Sequence, residues 1–198
     1  MLRTTRRAGT LAAITLAATA TAASAGTLQQ TVHFVGADAQ ALFDLYVTGE
    51  GHTAVTGLPA RFVGTDGAEV ARASAGDEMF AFCFEPEMCG LDAHVLDIQQ
   101  APGRYTVVLA WWAFGWVMAT DPAQLTVEGR GAPDSTLILT FADTPAGAQI
   151  ELVQANVPDY EVRLQNPDGS EEVGPLSRIV NSHWNTLYWD AYRRDLAE

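Results

Sequence analysis

Four histidines, two cysteines and a pair of aspartates are the groups in this chain that could do chemistry, and their spacing decides how much. His33, His52, His94 and His183 stand on different segments, and no two have the local spacing of metal ligands. Only a tertiary convergence of His94, Asp97 and His183 would assemble a ligand set or an acid–base pair. No metal site, no cofactor and no catalytic residue is therefore expected, and His183 reads as a packed, hydrogen-bonded residue on an inner helix face. Asp92 and Asp97 flank a strand-like stretch. An inward Asp97 would be an uncommon buried acid and a candidate general base; the competing reading sets it in solvent, opposite His94 and Leu96. Cys83 and Cys89 are the only cysteines and enclose five residues that include Glu85-Pro86-Glu87. In an oxidising compartment they read as a disulfide, worth about 2 kcal/mol for so short a loop. Two buried thiols are the alternative, and the spacing is not the C-x-x-C of redox pairs. No G-x-S-x-G elbow and no glycine-rich phosphate loop occurs.

Whatever these residues do, their positions are set by the elements around them. Thr27 to Gly36 reads as a strand. Asp38 is a good N-cap for a short helix carrying Leu42, Phe43 and Tyr46, and a second helical turn covers 50–56. Thr65-Asp66-Gly67 marks a hairpin, with a modest strand over 68–74. Strict alternation predicts strands over 78–84, with Phe80, Phe82 and Phe84 on one face, and over 93–99, with His94, Leu96 and Ile98 together. Residues 104–112 are almost continuously apolar, as in a strand buried on both faces. Residues 135–143 (Leu137, Leu139, Phe141) and 148–156 (Ile150, Leu152) form another pair, joined at Thr144-Pro-Ala-Gly147. The last element is a helix from Leu176 to Leu196, roughly 31 Å long at 1.5 Å per residue. Its stripe runs through Leu176, Ile179, Val180, His183, Leu187 and Ala191, widened by Trp184 and Tyr188. A strand, two short helices, a run of antiparallel strands and one long helix make an α+β fold. The sheet curves around the helix and leaves room between them.

Composition narrows the function classes. The chain carries 11 basic and 24 acidic residues, net −13, and every basic residue is an arginine. Without lysine there is no Schiff-base chemistry and no P-loop lysine. Arg3, Arg6 and Arg7 precede an uncharged Ala/Thr/Leu/Ile stretch that ends at Ala23-Ser24-Ala25, the pattern of an export leader cleaved before Gly26. That stretch is too short and too threonine-rich for a membrane anchor. The chain thus divides into a signal peptide over 1–25 and one domain over 26–198, with no integral membrane segment once the leader is removed. Loss of its three arginines takes the net charge from −13 to −16. So acidic a surface is repelled by nucleic acid and by anionic lipid.

The ordered set Thr31-Val-His-Phe34, Ala41-Leu-Phe-Asp44, Ala110-Trp111, Asn156-Val-Pro-Asp159, His183-Trp184 and Tyr188-Trp189 resembles the helix-grip (START/Bet v 1-like, SRPBCC) superfamily. More narrowly it is similar to domains named after the activator of Hsp90 ATPase. The resemblance covers nearly all of 26–198. It implies a curved antiparallel sheet gripping a long C-terminal helix, with two short helices after the first strand. The chain departs from the family where a tryptophan–arginine pair is replaced by Trp111-Trp112, and where residues 117–133 read as an insertion. It departs again in being exported, away from any cytosolic ATP-driven chaperone.

The expected function is non-catalytic binding of a small hydrophobic or amphipathic molecule between sheet and helix, in the periplasm or outside the cell. The expected lining is Phe80, Phe82, Phe84, His94, Leu96, Tyr105, Trp111, Leu139, Leu152, Ile179, His183, Leu187 and Tyr188. Tyr105, His94, His183 or Tyr188 would orient the ligand. A cyclase/aromatase-like enzyme on the same fold would need an inward histidine or acid without a structural partner. An envelope protein-binding module would need Trp112, Trp116 and Trp189 exposed; the sequence names no protein partner.

Overall fold

The computed structural model describes residues 25–57, 59–81, 90–112, 135–158, 161–165 and 171–195. Strand β1 (Ala25–Val35) leads into helices α1 (Ala39–Val47) and α2 (Gly49–Thr56). The Asp38 side chain caps α1, accepting the Ala41 N–H at 2.7 Å, and the Thr48 hydroxyl caps α2 by accepting the Gly51 N–H at 3.1 Å. Two helices this short persist because each buries a face. Leu42, Phe43, Tyr46 and Val47 of α1 and His52 and Val55 of α2 are all buried.

Seven strands follow: β2 (Arg61–Val63), β3 (Glu69–Val70), β4 (Glu78–Ala81), β5 (Gly90–Ala101), β6 (Arg104–Trp111), β7 (Ser135–Thr144) and β8 (Gly147–Pro158). With β1 they form one antiparallel sheet in the order β1-β8-β7-β6-β5-β4-β2-β3. A separate hairpin, β9 (Glu161–Gln165) with β10 (Glu171–Pro175), then delivers the chain to the C-terminal helix. That helix has three contiguous parts: α3 (Leu176–His183), a π-helical turn (Trp184–Trp189) and α4 (Asp190–Asp195). Among the described residues no helix is long and apolar enough to cross a membrane.

The core lies between the sheet and the helices. Alternation sends Val32 and Phe34 of β1, Val107 and Leu109 of β6, Leu137, Leu139 and Phe141 of β7, and Ile150 and Leu152 of β8 to one face. Full burial of such side chains contributes about 1.5–3 kcal/mol each.

A bulge breaks one expected alternation, and β4 takes the phase opposite to the one expected. Between β5 and β6, Val95 pairs with Leu109 and Asp97 with Val108, so Leu96 is the extra residue of a bulge. Ala93 and Val95 therefore face the core and Ile98 returns to it, while His94 falls on the opposite face and Leu96 is 48% exposed. In β4 the core takes Met79 and Ala81. Phe80 points to the outer face, covered in part by the Arg61 guanidinium 5.2 Å from its ring. Phe82 and Phe84, the expected Cys83–Cys89 disulfide, Trp116 and residues 1–24 of the expected leader lie outside the described residues. A further bulge sits where β1 meets β8. Asn156 is the unpaired residue there, at φ 62°, a left-handed conformation that asparagine tolerates.

Candidate functional site

Among the described residues the buried inner face of the sheet is apolar except at the seam with the C-terminal helix. Gln30 of β1 and Gln154 of β8 both point inward there. Leu28 pairs with Gln154 and Gln30 with Leu152, so the two amides are diagonal neighbours on adjacent strands. Each receives one tryptophan of the π-helical turn. The Trp184 indole N–H donates to Gln154 Oε1 at 3.1 Å, and Gln154 Nε2 donates to Ser135 Oγ at 2.9 Å. The Trp189 indole N–H donates to Gln30 Oε1, and Gln30 Nε2 donates to Asn181 Oδ1 at 2.7 Å. The two indoles stack with centroids 5.4 Å apart. Gln154 is fully buried, and a buried amide without partners would be costly; here both its ends are satisfied.

The π-helical turn makes this arrangement possible. On an uninterrupted α-helix, Trp189 would lie well away from the stripe that carries Leu176, Val180 and Trp184. A π-turn accommodates one additional residue, which winds the following chain back by about 100°. Trp189 and Tyr192 are thereby brought inside, at 1% and 0% exposure.

A second polar cluster joins α2 to the same turn. His52 is buried, with Nε2 3.0 Å from the Tyr188 hydroxyl and Nδ1 3.3 Å from the Tyr46 carbonyl. A carbonyl can only accept, so Nδ1 carries the proton and Nε2 accepts the Tyr188 O–H. Burial lowers the His52 pKa from 6.5 to about 4, against a smaller upward pull from the Tyr46 carbonyl, so the ring is neutral at pH 7. The Tyr46 and Tyr188 rings lie 5.1 and 5.3 Å from the imidazole, edge to face.

The residues expected to line a cavity separate into groups. Leu139, Leu152 and Tyr188 are buried together in the core. Tyr105 and Trp111 are half-buried and pack against it, Tyr105 stacking on Phe43 at 4.9 Å. His183 is half-buried; the side chains of Ile179 and Leu187 lie outside the described residues. Phe80, His94 and Leu96 leave the inner set for the reasons of strand phase given above. Sequence reasoning missed Gln30, Gln154 and the functional weight of His52. The signal it overlooked was two glutamines at strand positions whose alternation demands apolar residues.

This geometry bears on the alternative chemistries. His52 has both ring nitrogens engaged, and the outer face holds His33 and His94. Asp97 shares that face, where it accepts a hydrogen bond from Gln99 at 2.8 Å. Among the described residues no three His, Cys, Asp or Glu side chains are placed to hold a metal ion. Trp112 is 4% exposed and Trp189 1%, so neither offers the surface that a tryptophan docking patch requires. The candidate site is an aromatic seam with fixed hydrogen-bonding groups, built by one turn of helix on two strands.

These features define an α+β protein in which a large antiparallel sheet is packed against a C-terminal helix. No protein-family model and no curated protein matches the chain. Among solved structures it is similar to the protein MLL2253 from Mesorhizobium loti, at 10% identity and a TM-score of 0.45, covering 87% of this chain and 97% of that one.

Proposed function

We propose that this chain is an exported helix-grip protein of the START/Bet v 1-like kind, related to the activator of Hsp90 ATPase domains. In this reading it holds a small amphipathic molecule between sheet and C-terminal helix without transforming it. The observation that carries the proposal is the π-helical turn at the seam. Such turns are uncommon and concentrate at functional sites. This one holds three aromatic rings in the core, with the Trp184 indole N–H tied to the buried Gln154, the Trp189 indole N–H to the part-buried Gln30 and the Tyr188 hydroxyl to the buried His52. A core needing only cohesion is served by leucine at these positions. Aromatic rings with polar tips instead suit a surface that exchanges contacts with an amphipathic guest. Relaxing the π-turn toward α-helical winding rotates Trp189 away from Gln30, freeing both apolar area and an amide for the ligand. The leader over 1–25, the domain over 26–198 and the Cys83–Cys89 disulfide complete the proposal as an extracytoplasmic carrier or sensor.

The test is a titration of tryptophan fluorescence with neutral 1-alkanols of increasing chain length. Each methylene buried contributes about 0.8 kcal/mol, so affinity rises about fourfold per carbon until the seam is filled, with one molecule bound per chain. A signal that never saturates, or an affinity independent of chain length, would rule the proposal out.

A further inference from the structure

The long edge strand β1 has one side without a strand partner among the described residues, since the sheet begins there. Natural proteins blunt such edges with lysine, proline, inward charges or bulges. Over its eleven residues β1 contains no Lys, Arg, Asp, Glu or Pro. Its one irregularity lies at Gly26/Thr27, and from Thr27 to Val35 it runs in regular register. Side chains at Thr27, Gln29, Thr31, His33 and Val35 face outward and are exposed. Val35, at 88%, is the most exposed large hydrophobic among the described residues.

We infer that β1 pairs antiparallel with β1 of a second copy of this chain, about a two-fold axis through Thr31. The outward residues are self-complementary about that point: Thr31 meets Thr31, Gln29 meets His33, and Thr27 meets Val35. These are a β-branched pair, a hydrogen-bonding pair and a pair that covers the exposed valine, each of a type that stabilises cross-strand contacts. The regular stretch is itself centred on Thr31. An isologous pairing of this kind closes on itself and uses up both open edges.

Charge selects the same occupant. Of 24 acidic residues in the chain, none lies in β1, and the helical segment that packs over β1, Leu176–Tyr192, holds one, Asp190, which is paired with Arg193. Two strongly acidic molecules can therefore approach along this strip. Glu151, opposite Thr31 on β8, is the nearest carboxylate on the outer face of the sheet among the described residues. It would stand three strand spacings from its counterpart, about 14 Å, beyond the Debye length of about 8 Å at physiological salt.

The experiment is sedimentation velocity on the purified protein over a micromolar concentration range, with the exposed-face variants Thr31→Glu and Thr31→Lys. The wild type is expected to sediment as a dimer, and each variant as a monomer whose dissociation constant is raised at least tenfold. An equimolar mixture of the two variants restores the dimer, because the axis sets the introduced carboxylate of one copy against the introduced ammonium of the other. Circular dichroism unchanged from wild type shows that both variants fold. A monomeric wild type across the range would overturn the inference. So would a dimer that tolerates both substitutions, which would place the interface elsewhere.

Discussion

His52 shows how a single residue can matter and still escape a reading of the sequence. It sits in an eight-residue helix containing two glycines, where no stripe marks an inner face. Its role comes wholly from partners at Tyr46 and Tyr188, the latter far along the chain. That burial has a measurable consequence. The folded-state pKa, about 4, lies below the ordinary 6.5, so between these values the unfolded chain binds the proton and the folded chain does not. The stabilisation is complete above pH 6.5 and is lost as pH falls toward 4, by about 3 kcal/mol. His52→Gln keeps a donor and an acceptor but cannot titrate. Urea unfolding at pH 7 and pH 4.5 is expected to show a larger acid loss in the wild type than in this variant. Equal losses would mean that His52 does not carry the acid sensitivity.

At the scale of elements, the strands and helices were largely legible while their local phase was not. Asp38 as the cap of the first helix, the turn before Gly147 and the helix beginning at Leu176 all follow from turn and capping chemistry. Two irregularities, the extra residue at Leu96 and the π-turn at Trp184–Trp189, each shift everything after them, because strand faces alternate and helix faces rotate. Their cause is tertiary. The helix must bring two tryptophans to two glutamines on neighbouring strands, and no local propensity encodes that. The β9–β10 hairpin was missed for a different reason: Glu161–Gln165 alternates but is only five residues long, and its partner Glu171–Pro175 does not alternate. The prediction that belongs here concerns docking of the helix on the sheet. Gln154→Leu strands the Trp184 N–H and the Ser135 hydroxyl, and is expected to lower unfolding stability by about 1–3 kcal/mol. Adding Trp184→Phe removes the stranded donor, and the second substitution should cost less in this background than in wild type. Strict additivity of the two would mean that the hydrogen bond does not fasten the helix.

For the molecule as a whole, element order carried the architecture: helices gather on one face of an antiparallel sheet whose first strand lies beside its long β8. The site was legible only in part. Burial of Leu139, Leu152 and Tyr188 follows from alternation and helical spacing, whereas the polar groups at the seam do not, because Gln30 and Gln154 acquire meaning only when the helix arrives. The central claim is that this seam holds a small amphipathic molecule, and native mass spectrometry of protein recovered from the cells that make it tests it most directly. The account predicts a discrete added mass that disappears on denaturation and is recovered, by organic extraction, as an amphipathic compound. A bare polypeptide mass, still unchanged after exposure to lipid and aromatic libraries, would contradict it and leave the seam as a packed core.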